Sequence, residues 1–237
     1  MLDHIEKARD HPRKVLPFAL GKALPNGVLA TAQRYPSVWN GADEYVTFEL
    51  GGFAGRAADR PAFAARTYYE ASQLRDVIAD LDRAVERSAE IGPGYGRLSP
   101  WIAERSAEHY GIEPNARQLE TARTLYPDVE WVEATVQELP FEADFFDALV
   151  SWTVLQHVPP AAIEAAVDRI GRVVAPGGSV IICEETAGEA NSHTWPRSVE
   201  RYRELFEPAT LVDRRERAVE PTYEGDAGEV LVFRIEE

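Results

Sequence analysis

From residue 88 onward, short strand-like runs alternate with stretches of helical period, and no other feature limits the possible folds of this chain so strongly. The runs are Ser88 to Ile91, Glu108 to Ile112, Val129 to Val132, Phe146 to Ser151 and Ser179 to Cys183. Strand and helix in succession build a mostly parallel sheet covered by helices on both faces, an α/β architecture. The helices carry their own start and stop signals. Pro100 sits in an opening turn, where its missing N–H costs nothing, and Asn115 with Gln118 has the form of a capping box. Pro159-Pro160 opens a helix striped by Ile163, Val167, Ile170 and Val174, and Pro176-Gly177-Gly178 stops it. Upstream, Ala71, Leu74, Val77, Ile78, Leu81 and Val85 share one stripe, which predicts a helix over 63–85 packed beside the sheet. Downstream, Val199, Tyr202 and Phe206 form a further amphipathic segment. Leu211-Val212 and Val230-Leu231-Val232-Phe233 read as an antiparallel pair closing the sheet edge.

The texture changes near Phe63. Before it, aromatic, proline and glycine positions mix without a clean period, so residues 1–62 are expected to form a cap or extension and residues 63–237 the main domain. The stretch Val15 to Ala32 is broken by Pro17, Lys22, Pro25 and Asn26, too often for a membrane span. Asp3 and Glu6 precede any lysine or arginine and no secretory pattern follows, which predicts a cytoplasmic protein. The single cysteine, Cys183, forms no internal disulfide or cysteine-based metal site; no metal is expected, and Cys183 reads as a small core residue. Acids outnumber bases by 40 to 25, and only Lys7, Lys14 and Lys22 are lysines. Such a balance resembles halophilic proteins, whose acidic surfaces are screened by molar salt, and it argues against a nucleic-acid partner. Whether the chain is a monomer or a homodimer is left open.

The run Glu90-Ile91-Gly92-Pro93-Gly94-Tyr95-Gly96 stands at the end of the first strand and ahead of a helix. Open parallel sheets bind ligands outside the carboxyl ends of their strands, and glycines there let the backbone come close to a ligand. Glu113 ends the second strand roughly 20 residues on, where an acid accepts from both ribose hydroxyls of a nucleoside. A dinucleotide fold wants a glycine three positions after Gly94, and that position is Arg97. No second mononucleotide-binding half follows either. A nucleoside-sized ligand therefore fits better than NAD.

These stretches, with Gly111-Ile112-Glu113-Pro114, Gln137-Glu138-Leu139-Pro140-Phe141, Phe146-Asp147-Ala148-Leu149-Val150-Ser151 and Leu155-Gln156-His157-Val158, resemble the class I S-adenosyl-L-methionine (SAM)-dependent methyltransferases, in particular the broad small-molecule group called type 11. The likeness covers residues 87–185 and implies a Rossmann-like, seven-stranded, mostly parallel sheet with a last antiparallel strand. It implies SAM as cofactor and a small-molecule methyl acceptor. By the same likeness Glu90, Gly92, Pro93, Gly94 and Gly96 form the methionine and ribose loop, and Glu113 with Pro114 holds the ribose. Ser151 and Trp152 lie beneath the methionyl group. The family often has Asp where this chain has Thr135, whose hydroxyl can accept from the adenine amino group, while Val136 and Gln137 meet the ring through their backbone.

Asn-Pro-Pro-Tyr and Pro-Cys motifs of nucleic-acid methylases are absent. Should the acceptor need a base, His157 and His193 are the candidates. Arg66, Tyr68 and Tyr69, and the loop Glu184 to Arg197, are candidate walls of the cofactor and acceptor site. Two other readings stay open: a SAM- or nucleotide-binding regulatory protein without catalysis, and an NAD-dependent oxidoreductase.

Overall fold

A computed structural model describes residues 60–190, 194–219 and 228–236, with side chains from Arg66 onward. The expected cap over 1–62 falls almost wholly outside them, and Thr67–Glu237 forms one compact unit. The elements in order are α1 (Arg60–Ala79), β1 (Val85–Ile91), α2 (Ser99–Ala103), β2 (Ser106–Ile112), α3 (Ala116–Leu125), β3 (Glu130–Val132), β4 (Phe146–Trp152), α4 (Ile163–Val173), β5 (Val174–Glu184), α5 (Val199–Leu205), β6 (Thr210–Glu216) and β7 (Glu229–Arg234). They build a seven-stranded sheet in the order β3-β2-β1-β4-β5-β7-β6. The first five strands run parallel, and β7 enters antiparallel between β5 and β6.

The period of two along each strand sorts its side chains between two cores. On one face Leu149, Val180, Ile182, Leu231 and Phe233 pack with Ile163, Val167 and Ile170 of α4 and with Val199 and Tyr202 of α5. On the other, Val150, Ile181, Cys183, Val230 and Val232 meet Ala71, Leu74, Val77 and Ile78 of α1 and Ile102 of α2. Because both faces are covered, β4, β5 and β7 read as nearly unbroken apolar runs. No helix among the described residues is long and apolar enough to cross a membrane.

Two boundaries differ most from the sequence reading. The first helix ends at Ala79, and Val85 opens β1 opposite Ser106. The cause is distant in sequence: Asp147 accepts the amides of Glu86 (2.9 Å) and Arg87 (3.0 Å) and pairs with Arg83, drawing this segment onto the sheet. Val174 leaves the α4 stripe to open β5, so Pro176-Gly177-Gly178 lies within that strand's span, hydrogen-bonded to Ile235 at both of its glycines.

Gly96 and Gly111 are explained by one neighbour. A Cβ on Gly111 would stand 2.2 Å from Cζ3 of Trp131, and one on Gly96 would stand 2.6 Å from Cη2 of the same ring. The indole is pinned by its N–H, which donates to Tyr126 O at 2.9 Å. Gly111→Ala is therefore expected to lower stability by about 1–3 kcal/mol through overpacking. Thermal unfolding of that variant checks this; an unchanged midpoint would mean that the ring has room to shift.

Candidate functional site

The strands β1, β2, β4 and β5 end side by side, with Ile91 opposite Ile112 and Ser151, and Trp152 opposite Cys183. The loops leaving them meet along one edge, the place where parallel sheets hold ligands. In the glycine run Gly92, Gly94 and Gly96 take φ of 62°, 63° and 85°. Gly92 donates its amide to Ile112 O (2.8 Å) and Gly96 to Pro93 O (3.0 Å). Gly92 admits no side chain, since a Cβ would lie 2.5 Å from Val154 Cγ2. Pro93 is buried, as is Glu90, whose carboxylate accepts the Ser99 hydroxyl at 2.6 Å and so ties the strand to α2.

Glu113, only 3% exposed, joins two segments of this edge. One oxygen accepts the Gly94 amide (3.1 Å), the other the Asn115 amide (3.0 Å). Pro114 beside it is exposed. Asn115 caps α3 by accepting from Arg117 (3.0 Å) and Gln118 (3.4 Å). Its own amide goes to Glu113, a partner that the capping-box pattern did not foresee.

Beyond β3, Thr135 leads into a single 3₁₀ turn, Val136–Glu138, and accepts the Glu138 amide on its carbonyl (3.0 Å). Thr135, Val136 and Gln137 are half-buried, and the Thr135 hydroxyl makes no capping bond to this turn. At the opposite end of the glycine run a charged cluster closes. Glu70 of α1, fully buried, accepts Arg97 Nη2 at 2.6 Å and Arg217 Nε at 3.1 Å, with a second bond from Arg217 Nη2. Arg97, which occupies the position where a dinucleotide fold has glycine, thus serves α1. Tyr69, next to Glu70, is half-buried and meets the exposed Tyr68 edge-on.

The loop after β4 is bolted to the end of β5. Glu184, 1% exposed, accepts four bonds: Ser151 Oγ (2.9 Å), Val154 N (3.2 Å) and Leu155 N (3.0 Å) on one oxygen, and Gln156 N (3.0 Å) on the other. Burial raises this carboxyl to about 7, even though the four donors oppose the rise. Arg197, also buried, donates to the carbonyls of Leu155 (2.7 Å) and Val158. Opposite charges therefore grip opposite ends of one 3₁₀ turn, Leu155–His157. Thr153 precedes it at φ 59°, a left-handed conformation that costs a β-branched residue about 1–3 kcal/mol. Its amide bond to Cys183 O (2.7 Å) helps to hold it there.

Ser151 thus spends its hydroxyl on Glu184, while the Trp152 ring lies in the core beneath α1. His157 is half-buried, its ring nitrogens 3.5 Å from Gln156 Nε2 and from Thr194 Oγ1, both long for a hydrogen bond. His193 lies outside the described residues. Glu70, Glu184 and Arg197 escaped the sequence reading as parts of a constellation. Glu184 did leave one signal, an acid closing the apolar run Val180-Ile181-Ile182-Cys183.

Residues 89–182 match the family described as Methyltransferase domain. Among curated proteins, a ubiquinone biosynthesis O-methyltransferase of Alkalilimnicola ehrlichii is 36% identical over 100 residues, 40% of this chain and 40% of the relative. The match thus spans less than half the length of that curated relative. Among solved structures, the N-methyltransferase NodS of Bradyrhizobium japonicum aligns with TM-score 0.60 at 19% identity over 76% of this chain and 99% of its own. The [4+2]-cyclase SpnF aligns with TM-score 0.56 at 19% identity over 69% and 81%. These structural likenesses speak for the fold alone.

Proposed function

We propose that the edge formed by the ends of β1, β2 and β4 binds S-adenosylmethionine and that the chain transfers its methyl group to a small molecule. The observation that carries this reading is Glu113, a buried carboxylate locked by backbone amides of the glycine run and of α3. The residues present fit a nucleoside with an amino-acid tail. The backbone at Gly92 turns through a conformation open to glycine, with no Cβ between the loop and its neighbours. Glu113 is an acid placed at the end of β2, where it can accept from ribose hydroxyls, and Thr135 with the backbone of Val136 and Gln137 suits an adenine edge. Glu90, Pro93, Gly94 and Gly96 shape the loop, Pro114 flanks the ribose acid, and Ser151 and Trp152 fix the strand end below. Tyr69 stands beside the Glu70 cluster, where it can border the amino-acid tail.

When bound, the cofactor supplies an electrophilic methyl on a sulfonium. The protein's part is to orient an acceptor for in-line attack, a task of positioning more than of proton transfer. Where the acceptor must lose a proton, His157 is our candidate to take it. The excess of acids over bases, 40 to 25, favours a small acceptor over a polyanion.

Calorimetric titration with S-adenosylhomocysteine tests this reading. Two hydrogen bonds to a charged group are lost in Glu113→Ala, so its affinity is expected to fall about 100-fold or more. Glu113→Gln, which keeps the shape, should lose less. A parent that takes up no S-adenosylhomocysteine, or a Glu113→Ala protein that binds it as tightly as the parent, would sink the assignment. A second reading is the one left open above, a SAM-binding protein without catalysis. Binding without turnover on a panel of acceptors would favour it.

A further inference from the structure

Glu184 and Arg197 bound the loop read above as a candidate wall but are given no ligand contact; both are buried, and both hold the same turn. Glu184 takes the amides of Val154, Leu155 and Gln156, and Arg197 takes the carbonyls of Leu155 and Val158. The Gln156 side chain adds a bond from the Glu185 amide (2.8 Å), and its carbonyl accepts the Trp195 amide (2.7 Å). A turn held at both ends has little freedom to slide. The residue that leads into it, Val154, fills the space that a side chain on Gly92 would need, with Cγ2 at 2.5 Å and Cγ1 at 3.0 Å from an ideal Cβ. The turn is therefore the back wall of the glycine run.

We propose that Glu184 and Arg197 are positioning residues for the glycine run: gripping the post-β4 turn from both ends, they press Val154 against Gly92 and so set the backbone that the cofactor meets. The link to ligand affinity rests on the cofactor reading above. The mechanical link does not, because it concerns the ligand-free chain. Three amides report on the loop: Gly92 to Ile112 O, Gly94 to Glu113 and Gly96 to Pro93 O.

Hydrogen exchange of the ligand-free protein, read by mass spectrometry, separates the steps. In Glu184→Gln the amides of 154–156 and those of 92–97 are both expected to exchange about tenfold faster, while β6 and β7 keep their protection. In Val154→Ala, a truncation that leaves Glu184 its partners, only 92–97 should accelerate. S-adenosylhomocysteine affinity should fall about tenfold in each single variant and no further in the double, since both act through one contact. Acceleration confined to 151–158 in Glu184→Gln, or additive losses of affinity in the double variant, would overturn the proposal. Should Glu184→Gln fail to fold, unchanged exchange of 92–97 in Val154→Ala would overturn it alone. A parent that ignores S-adenosylhomocysteine while its loop still responds to both substitutions would retire the cofactor reading and leave the coupling standing.

Discussion

Glu70→Gln is expected to remove about 3–5 kcal/mol of stability, because it breaks a buried ion cluster and takes from two buried guanidinium groups the carboxylate they share. Glu70 is fully buried and stands between Arg97 and Arg217, which are 8% and 7% exposed. Two guanidinium groups share one carboxylate there, and an amide offers them a single oxygen and an unwanted donor. The cluster also joins three segments: α1, the residue after Gly96, and the residue after β6. At this domain size the loss amounts to roughly 10 °C in the unfolding midpoint. Thermal and denaturant unfolding of the variant checks it. A shift below about 1 kcal/mol would mean that water or a rearranged side chain replaces the carboxylate at little cost. Replacing all three residues by apolar ones of similar volume should recover most of the loss, since the desolvation of the charges then disappears as well.

Acid should weaken the fold through His109. This histidine lies on β2, 4% exposed, with Nδ1 at 2.8 Å from the Ser88 hydroxyl, which also meets Ser106 Oγ at 2.7 Å. Burial lowers it from 6.5 to about 3, against the opposing hydrogen bond from Ser88. Below pH 6.5 the unfolded chain takes up this proton and the folded chain does not, so stability falls with pH until about 3. Between pH 6.5 and 4 the imidazole should cost about 3 kcal/mol, rising to about 4 kcal/mol at pH 3. Other groups titrate over the same range, so the informative quantity is the difference from His109→Gln. That variant cannot take a proton, and its unfolding free energy should decline less steeply by these amounts. Parallel declines of the two proteins would show that the imidazole finds solvent on protonation.

The architecture was legible because helices and strands advertise burial locally. The stripe of α4 and the apolar runs of β4, β5 and β7 each report a face covered by protein, and the glycine run after β1 marks the edge proposed to hold a ligand. The seven-stranded sheet with its antiparallel closing pair followed from those patterns together with the family likeness. Element ends were less legible. Val85 and Val174 continue helical stripes by period, and only Asp147 and the pairing of β1 and β5 assign them to strands.

At the proposed site the sequence by itself determined the features that depend on residue type and place alone. Glycines at 92, 94 and 96 permit positive φ, and an acid at the end of β2 lies within reach of the loop after β1. Tertiary structure alone decided what holds them. The partners of Glu70 lie 27 and 147 positions away, and Glu184 reaches Ser151 across 33. Such pairs leave no period in the chain, because a buried charge is stabilised by whichever group folding brings to it. In one dimension Glu70 resembles any helical acid and Val154 any loop valine. In three dimensions one neutralises two buried arginines, and the other fits where Gly92 has no side chain.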